Sequence, residues 1–228
     1  ASYRFEGNAN DDTRNYDGTA TNVTYEYGLG FTPDFVWIKS RSFARNHYWY
    51  DTTRGANKQI LSNATDAEAT ITGRLSAFDT GGFTVGSSSE VNNSGETYVA
   101  WALKGNGGTT SSNTDGTVTS TVQANTDAGF SIIKYVGNGV INQSIGHGLD
   151  STPELYITKN LDTGGTGWFT KTTVIDGSLD ELALNTTDAA VNVSNTNLPT
   201  SSVIYQYNNT NLGANGQNYI VYAFHSVD

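Results

Sequence analysis

The sequence predicts an all-β protein built as two tandem antiparallel β-sandwich domains, jelly-roll-like, that arose by internal duplication. Three observations predict it. A block recurs, TPDFVWIK at 32–39 and TPELYITK at 152–159, and three more blocks recur after it in the same order, about 120 residues apart. The apolar runs are short, partly β-branched and aromatic, which is strand rather than helix patterning. Between them lie turns rich in Gly, Asn and Asp, residues that favour turn conformations. A period of this length exceeds the roughly 20–50 residues of a solenoid or propeller unit, and each copy is long enough to bury its own core.

Residues 1–15 read as a lead-in strand (SYRFEG) followed by a turn (NANDDTRN). Asp11, Asp12 and Asp17 form a dense acid cluster there. It reads first as a solvated turn; the same residues are the candidates for Ca²⁺, an ion that needs six to eight oxygen ligands, although the EF-hand spacing is absent. The first domain is expected over 16–104. Its opening, YDGTATNV at 16–23, has the placement of YVGNGV at 135–140, and GLG at 28–30 answers GHG at 146–148.

Pro33 and Pro153 then fix φ and lack a donor, which suits the position just before a strand. The loop SRSFARNH at 40–47 is the most basic patch, with Arg41, Arg45 and His47, whereas the second copy has NLDTGGTG at 160–167. A loop that changes chemistry between matching strands is a candidate for recognition.

YWYDTT at 48–53 answers WFTKTT at 168–173. Such rings are core material first, each burying about 150–250 Å². Alternation along a strand nevertheless points successive side chains to opposite faces. Tyr48, Tyr50 and Trp168 are therefore also candidates for a surface that stacks on sugar rings. LSNATDA at 61–67 answers ALNTTDA at 183–189, and one helical turn is expected over 63–68. Asn93, Ser94 and Gly95 signal a hairpin before the run GETYVAWAL at 95–103, which answers GQNYIVYAF at 216–224. A strand apolar at nearly every position is covered on both faces, whether by its own domain, the other repeat or another chain. Residues 105–128, rich in Gly, Ser, Thr and Asn, are expected as a linker, with the second domain over 129–228.

The sequence also excludes. With no cysteine, it has neither disulfides nor a thiolate nucleophile. It contains no methionine, so a processed protein or a segment of a longer one is expected. No apolar run approaches the roughly 20 residues of a membrane helix, and no membrane insertion is expected. The net charge of −10 and the lack of a Lys/Arg cluster argue against a nucleic-acid partner. HExxH, GxSxG and P-loop patterns are missing. The GNGG cluster at 105–108 has no helix after it and gives no support for phosphate binding. Asp180 and Glu181, as strand neighbours, point to opposite faces and not into one catalytic pair. No catalytic residue is assigned, no enzymatic activity is expected, and no cofactor beyond the Ca²⁺ candidate.

Four stretches carry a family resemblance: 113–139 (NTDGTVTSTVQANTDAGFSIIKYVGNG), 146–149 (GHGL), 30–42 (GFTPDFVWIKSRS) and 94–105 (SGETYVAWALKG). Together they resemble the repeated β-domains of tailed-phage tail fibre and related virion proteins, especially of marine and cyanobacterial phages. The opening, YRFEGNANDD onward, is similar to the first strands of laminin-G-like domains. The resemblance implies a structural, receptor-binding component of a virion appendage, exposed on the particle surface and often a homotrimer. Its partners would be its own copies, neighbouring virion proteins and a host surface glycan or protein. A capsid-surface decoration protein and a secreted bacterial carbohydrate-binding or adhesin module are the alternatives.

Overall fold

The recurring block forms a central strand of each of two large sheets. The computed structural model describes residues 28–194, 196–207 and 210–227. The lead-in expected at 1–15, the opening at 16–23 and the Ca²⁺ candidates Asp11, Asp12 and Asp17 lie outside these residues. Within them the protein is all-β, with seventeen strands and no helix.

The first seven strands are β1 (Phe35–Ser40), β2 (Tyr48–Asp51), β3 (Lys58–Leu61), β4 (Ala69–Thr70), β5 (Leu75–Asp79), β6 (Gly82–Val85) and β7 (Tyr98–Leu103). They make a five-stranded antiparallel sheet in the order β4-β3-β2-β1-β7 and a separate β5-β6 hairpin. Next come β8 (Ser111–Asn113), β9 (Ser120–Asn125), β10 (Phe130–Val136), β11 (Gln143–Gly146) and β12 (Leu155–Asn160). The chain closes with β13 (Trp168–Thr172), β14 (Asp180–Ala183), β15 (Val191–Asn192), β16 (Val203–Gln206) and β17 (Asn218–Phe224). These form an eight-stranded sheet, β15-β14-β13-β12-β17-β10-β9-β8, and a β11-β16 ladder.

The order β4-β3-β2-β1-β7 is repeated by β15-β14-β13-β12-β17. Register repeats as well: Ser40 opposes Tyr98 as Asn160 opposes Tyr219, and Tyr48 opposes Leu61 as Phe169 opposes Ala183. One block differs from the sequence expectation. Trp37 opposes Trp49 and Ile157 opposes Thr170, so Tyr48 corresponds to Phe169 and Tyr50 to Lys171. Aligning YWYDTT with WFTKTT is therefore one residue out of step, and a one-residue shift exchanges the two faces of a strand.

Alternation builds four layers. One face of the five-stranded sheet (Val36, Ile38, Tyr48, Tyr50, Leu61) packs on the β5-β6 side with Leu75, Phe78 and Phe83. Its other face (Phe35, Trp49, Ile60) packs on Phe130, Ile132, Ile157, Trp168, Ile220 and Tyr222 of the eight-stranded sheet. The far face of that sheet (Ile133, Tyr135, Tyr156, Tyr219, Val221) packs on Ile145 and Ile204 of the β11-β16 ladder. β17 is thus covered on both faces, its second cover being the other large sheet. β7 departs from the expectation, since its Trp101 is 46% exposed.

Three local expectations are corrected. Residues 105–128 are not a free linker: β8 and β9 continue the second sheet, and Ser120, Val122 and Gln123 are buried, because hydroxyl and amide side chains bond across the layer. Residues 63–68 turn without a helix, since Ala64 N–H bonds Leu61 O and Glu68 N–H leaves the turn for Leu161 O. The hairpin expected at Asn93–Gly95 does not form, because β6 pairs with β5 and β7 with β1. Gly95 still has φ 78°, serving a turn inside the longer connection.

The layers explain the polar residues of the recurring block. Asp34 is fully buried and accepts N–H bonds from Gly105 (2.8 Å), Gly107 (2.9 Å) and Gly108 (2.7 Å), with Thr52 Oγ1 at 2.9 Å. The GNGG turn does cradle an anion, and that anion is the chain's own carboxylate. Glu154 does the same for the exit of β17, accepting from Ser226 N–H at 2.9 Å and Ser226 Oγ at 3.1 Å. The lysines close the other end. Lys39 Nζ donates to Ser40 O (2.6 Å) and Phe43 O (3.3 Å), and Lys159 Nζ to Asn160 O (2.9 Å) and Thr166 O (3.1 Å).

Burial pushes the Lys159 amine down to about 8, although Asp66 pulls it up. An unfolded lysine titrates near about 10.4, so between these values the unfolded chain holds the extra proton. The contribution of Lys159 to stability therefore rises from pH ~8 to ~10 and is flat below. The stability difference between wild type and Lys159→Met is expected to shift in favour of wild type by up to about 3 kcal/mol over that window. Denaturant unfolding at a series of pH values checks it; a pH-independent difference would refute it.

Candidate functional site

Strand β7, which ends the first sheet among the described residues, presents its tryptophan beside that of β1. Trp37 and Trp101 are directly opposed in the ladder, with ring centroids 4.4 Å apart and planes tilted by 37°. Trp37 in turn meets Trp49 (5.5 Å), and Trp49 meets Trp168 (5.0 Å, edge to face). All four tryptophans of the chain therefore form one line of ring contacts from solvent to core. Trp101 is 46% exposed, Trp49 4% and Trp168 fully buried. The gradient follows from coverage: the second sheet packs over Phe35, Trp49 and Ile60 and stops short of Trp101.

Polar groups border this rim. The imidazole of His47 lies 5.8 Å from the Trp37 ring, and burial together with the nearby Lys39 ammonium lowers its pKa. The indole N–H groups of Trp37 and Trp49 are buried and have no acceptor among the described residues. Arg41 is exposed at the start of the adjoining loop, its backbone N–H held by Thr97 O at 2.7 Å. The half-exposed indole face of Trp101 suits a pyranose ring, whose C–H face would stack on it.

The residues picked from sequence divide sharply. His47 lies beside the Trp37 ring, and Arg41 is exposed at the start of the adjoining loop. Arg45 is committed to structure, bonding Glu96 at 2.7 Å and Glu90 at 3.1 Å. Glu96, bonded by Arg45 and also by Asn93, Tyr98 and Ser40, has its carboxyl lowered to about 2. Tyr48, Tyr50 and Trp168 are corrected: each is at most 1% exposed, because both faces of their sheets are covered. Tyr48 donates its hydroxyl to Glu90 inside the protein. Trp37 and Trp101 were not picked. Their register across β1 and β7 was the usable signal, hidden because the closing run reads as apolar on both faces.

A family model described as a domain of unknown function (DUF7483) matches residues 9–228. The chain belongs to that family. No curated protein and no solved structure matches it. The DUF7483 unit spans both large sheets, in keeping with the core they share, and so contains the rim together with the second sheet that leaves it uncovered.

Proposed function

We propose that the protein is a structural, receptor-binding component of a phage tail fibre or similar virion appendage, and that its tryptophan rim stacks on a host surface glycan. The observation that carries the contact is the half-exposed indole of Trp101 lying against Trp37. The repeated strand order and register support a tandem duplication of one sandwich module, whose first copy kept the tryptophans at the positions that Ile157 and Tyr222 occupy, buried, in the second. The assembly proposed is a homotrimer.

Trp101→Ala is expected to weaken binding on a glycan array, and to host cells, by roughly 30-fold, the equivalent of about 2 kcal/mol for a stacking anchor. Its stability should fall by only about 0.5–1.5 kcal/mol, the loss of the ring pair with Trp37. Wild-type protein that binds neither glycans nor host cells, or a variant that binds equally well, would overturn the rim's role. Sedimentation of the same preparations tests the trimer, and a monomer at micromolar concentration would overturn it.

A further inference from the structure

Between the eight-stranded sheet and the β11-β16 ladder lies a polar group that the proposed function does not use. Lys171, on β13, is fully buried and forms no ion pair among the described residues. Its Nζ donates to Gln206 Oε1 at 2.8 Å. The Gln206 amide nitrogen donates in turn to Thr158 Oγ1 at 2.9 Å, which orients the carboxamide with its carbonyl toward the amine. The amine also lies 4.6 Å from the Tyr207 ring centroid and 5.6 Å from that of Tyr156. Directly across the ladder from Lys171 stands Glu181. One of its oxygens accepts from Tyr207 Oη at 2.9 Å, and the other is buried without a partner.

We propose that Lys171 and Gln206 join in an intramolecular isopeptide bond. The amine nitrogen attacks Gln206 Cδ, which lies one C=O bond, about 1.2 Å, beyond the oxygen it already contacts. The new N–C bond forms as the Cδ–Nε2 bond breaks. A proton passes from the attacking nitrogen to Nε2, which leaves as ammonia. An amine and a primary amide thus become a secondary amide and ammonia, with no oxidant or second reactant. Burial supplies the nucleophile: it pushes the Lys171 amine down to about 7, so a large neutral fraction exists near neutral pH. Holding the reacting groups together in a dry site favours such a step. The product ties the main sheet to its covering layer in a chain that has no cysteine to do so. The corresponding position of the first half is Tyr50, so the bond belongs to the second half alone.

Peptide mapping by tandem mass spectrometry of the folded full-length protein, after incubation at mildly alkaline pH, tests this. The expected product is a branched peptide containing Lys171 and Gln206, lighter than the sum of its parts by one ammonia. Wild type kept unfolded in urea should yield the two peptides unlinked. Wild type that yields them unlinked overturns the proposal, and this readout does not depend on any variant folding. Ammonia lost instead at an Asn-Gly pair such as Asn138-Gly139, with Lys171 free, overturns it equally.

Discussion

Arg54→Leu is expected to destabilise the protein by about 3–5 kcal/mol, the usual cost of leaving one partner of a buried ion pair alone. The guanidinium is 1% exposed and lies 2.5 Å from Asp51, which is fully buried, and 3.3 Å from Glu68. It also donates to Lys58 O, to Trp49 O and to the hydroxyl of Tyr222, which itself donates to Asp51 at 2.7 Å. Burial alone would lower the pKa of Arg54, but Asp51, Tyr222 and Glu68 outweigh it and hold the group charged far above its ordinary value. Leucine fills much of the volume and supplies no charge, so the buried Asp51 carboxylate keeps only two neutral donors, the backbone N–H of residue 54 and the Tyr222 hydroxyl.

The double variant Arg54→Leu/Asp51→Leu separates the two contributions. Removing both charges is expected to cost less than removing Arg54 alone, because an apolar replacement of a whole buried pair is often close to neutral. Urea unfolding gives both values. A loss below about 1 kcal/mol for the single variant would show that water reaches Asp51 and that the cluster is not dry.

Much of this architecture was legible, for identifiable reasons. Short apolar runs bounded by Gly and Asn turns produce strands whatever the tertiary context, and the recurrence of TPDFVWIK as TPELYITK located β1 and β12. Residues 105–128 were misread because flexibility was inferred from composition. Their serines, threonines and glutamine are good strand residues once they have partners: Ser120 Oγ bonds Gly146 O, and Gln123 bonds Thr52 and Thr53. Side-chain exposure was the least legible feature. Tyr48, Tyr50 and Trp168 differ from Trp101 in what covers them, not in local pattern, and coverage depends on how two sheets more than a hundred residues apart in sequence come together. The buried chemistry of Lys171 was hidden for the same reason, since β13 and β16 are distant in the chain.

The second large effect is expected at Trp168. Trp168→Ala should cost about 3–5 kcal/mol, the range for deleting a buried large aromatic, out of a total that for a domain is commonly about 5–15 kcal/mol. The residue belongs to the second sheet, yet its indole N–H donates to Leu61 O (2.9 Å) and Ala64 O (3.0 Å) of the first half, and its ring meets Trp49. Two independent sandwiches would respond separately, the second melting early and the first unchanged. A shared core predicts that both halves lose stability in one transition. Trp168→Phe discriminates further: it keeps most of the apolar ring and removes the donor, leaving the two carbonyls short of a partner at a cost of about 1–3 kcal/mol. Thermal unfolding followed by hydrogen exchange at β1 and at β12 reads the two halves apart. Loss of protection at β12 with β1 unaffected would refute the single cooperative core, whereas coincident loss follows from a tryptophan that fills one half while bonding the backbone of the other.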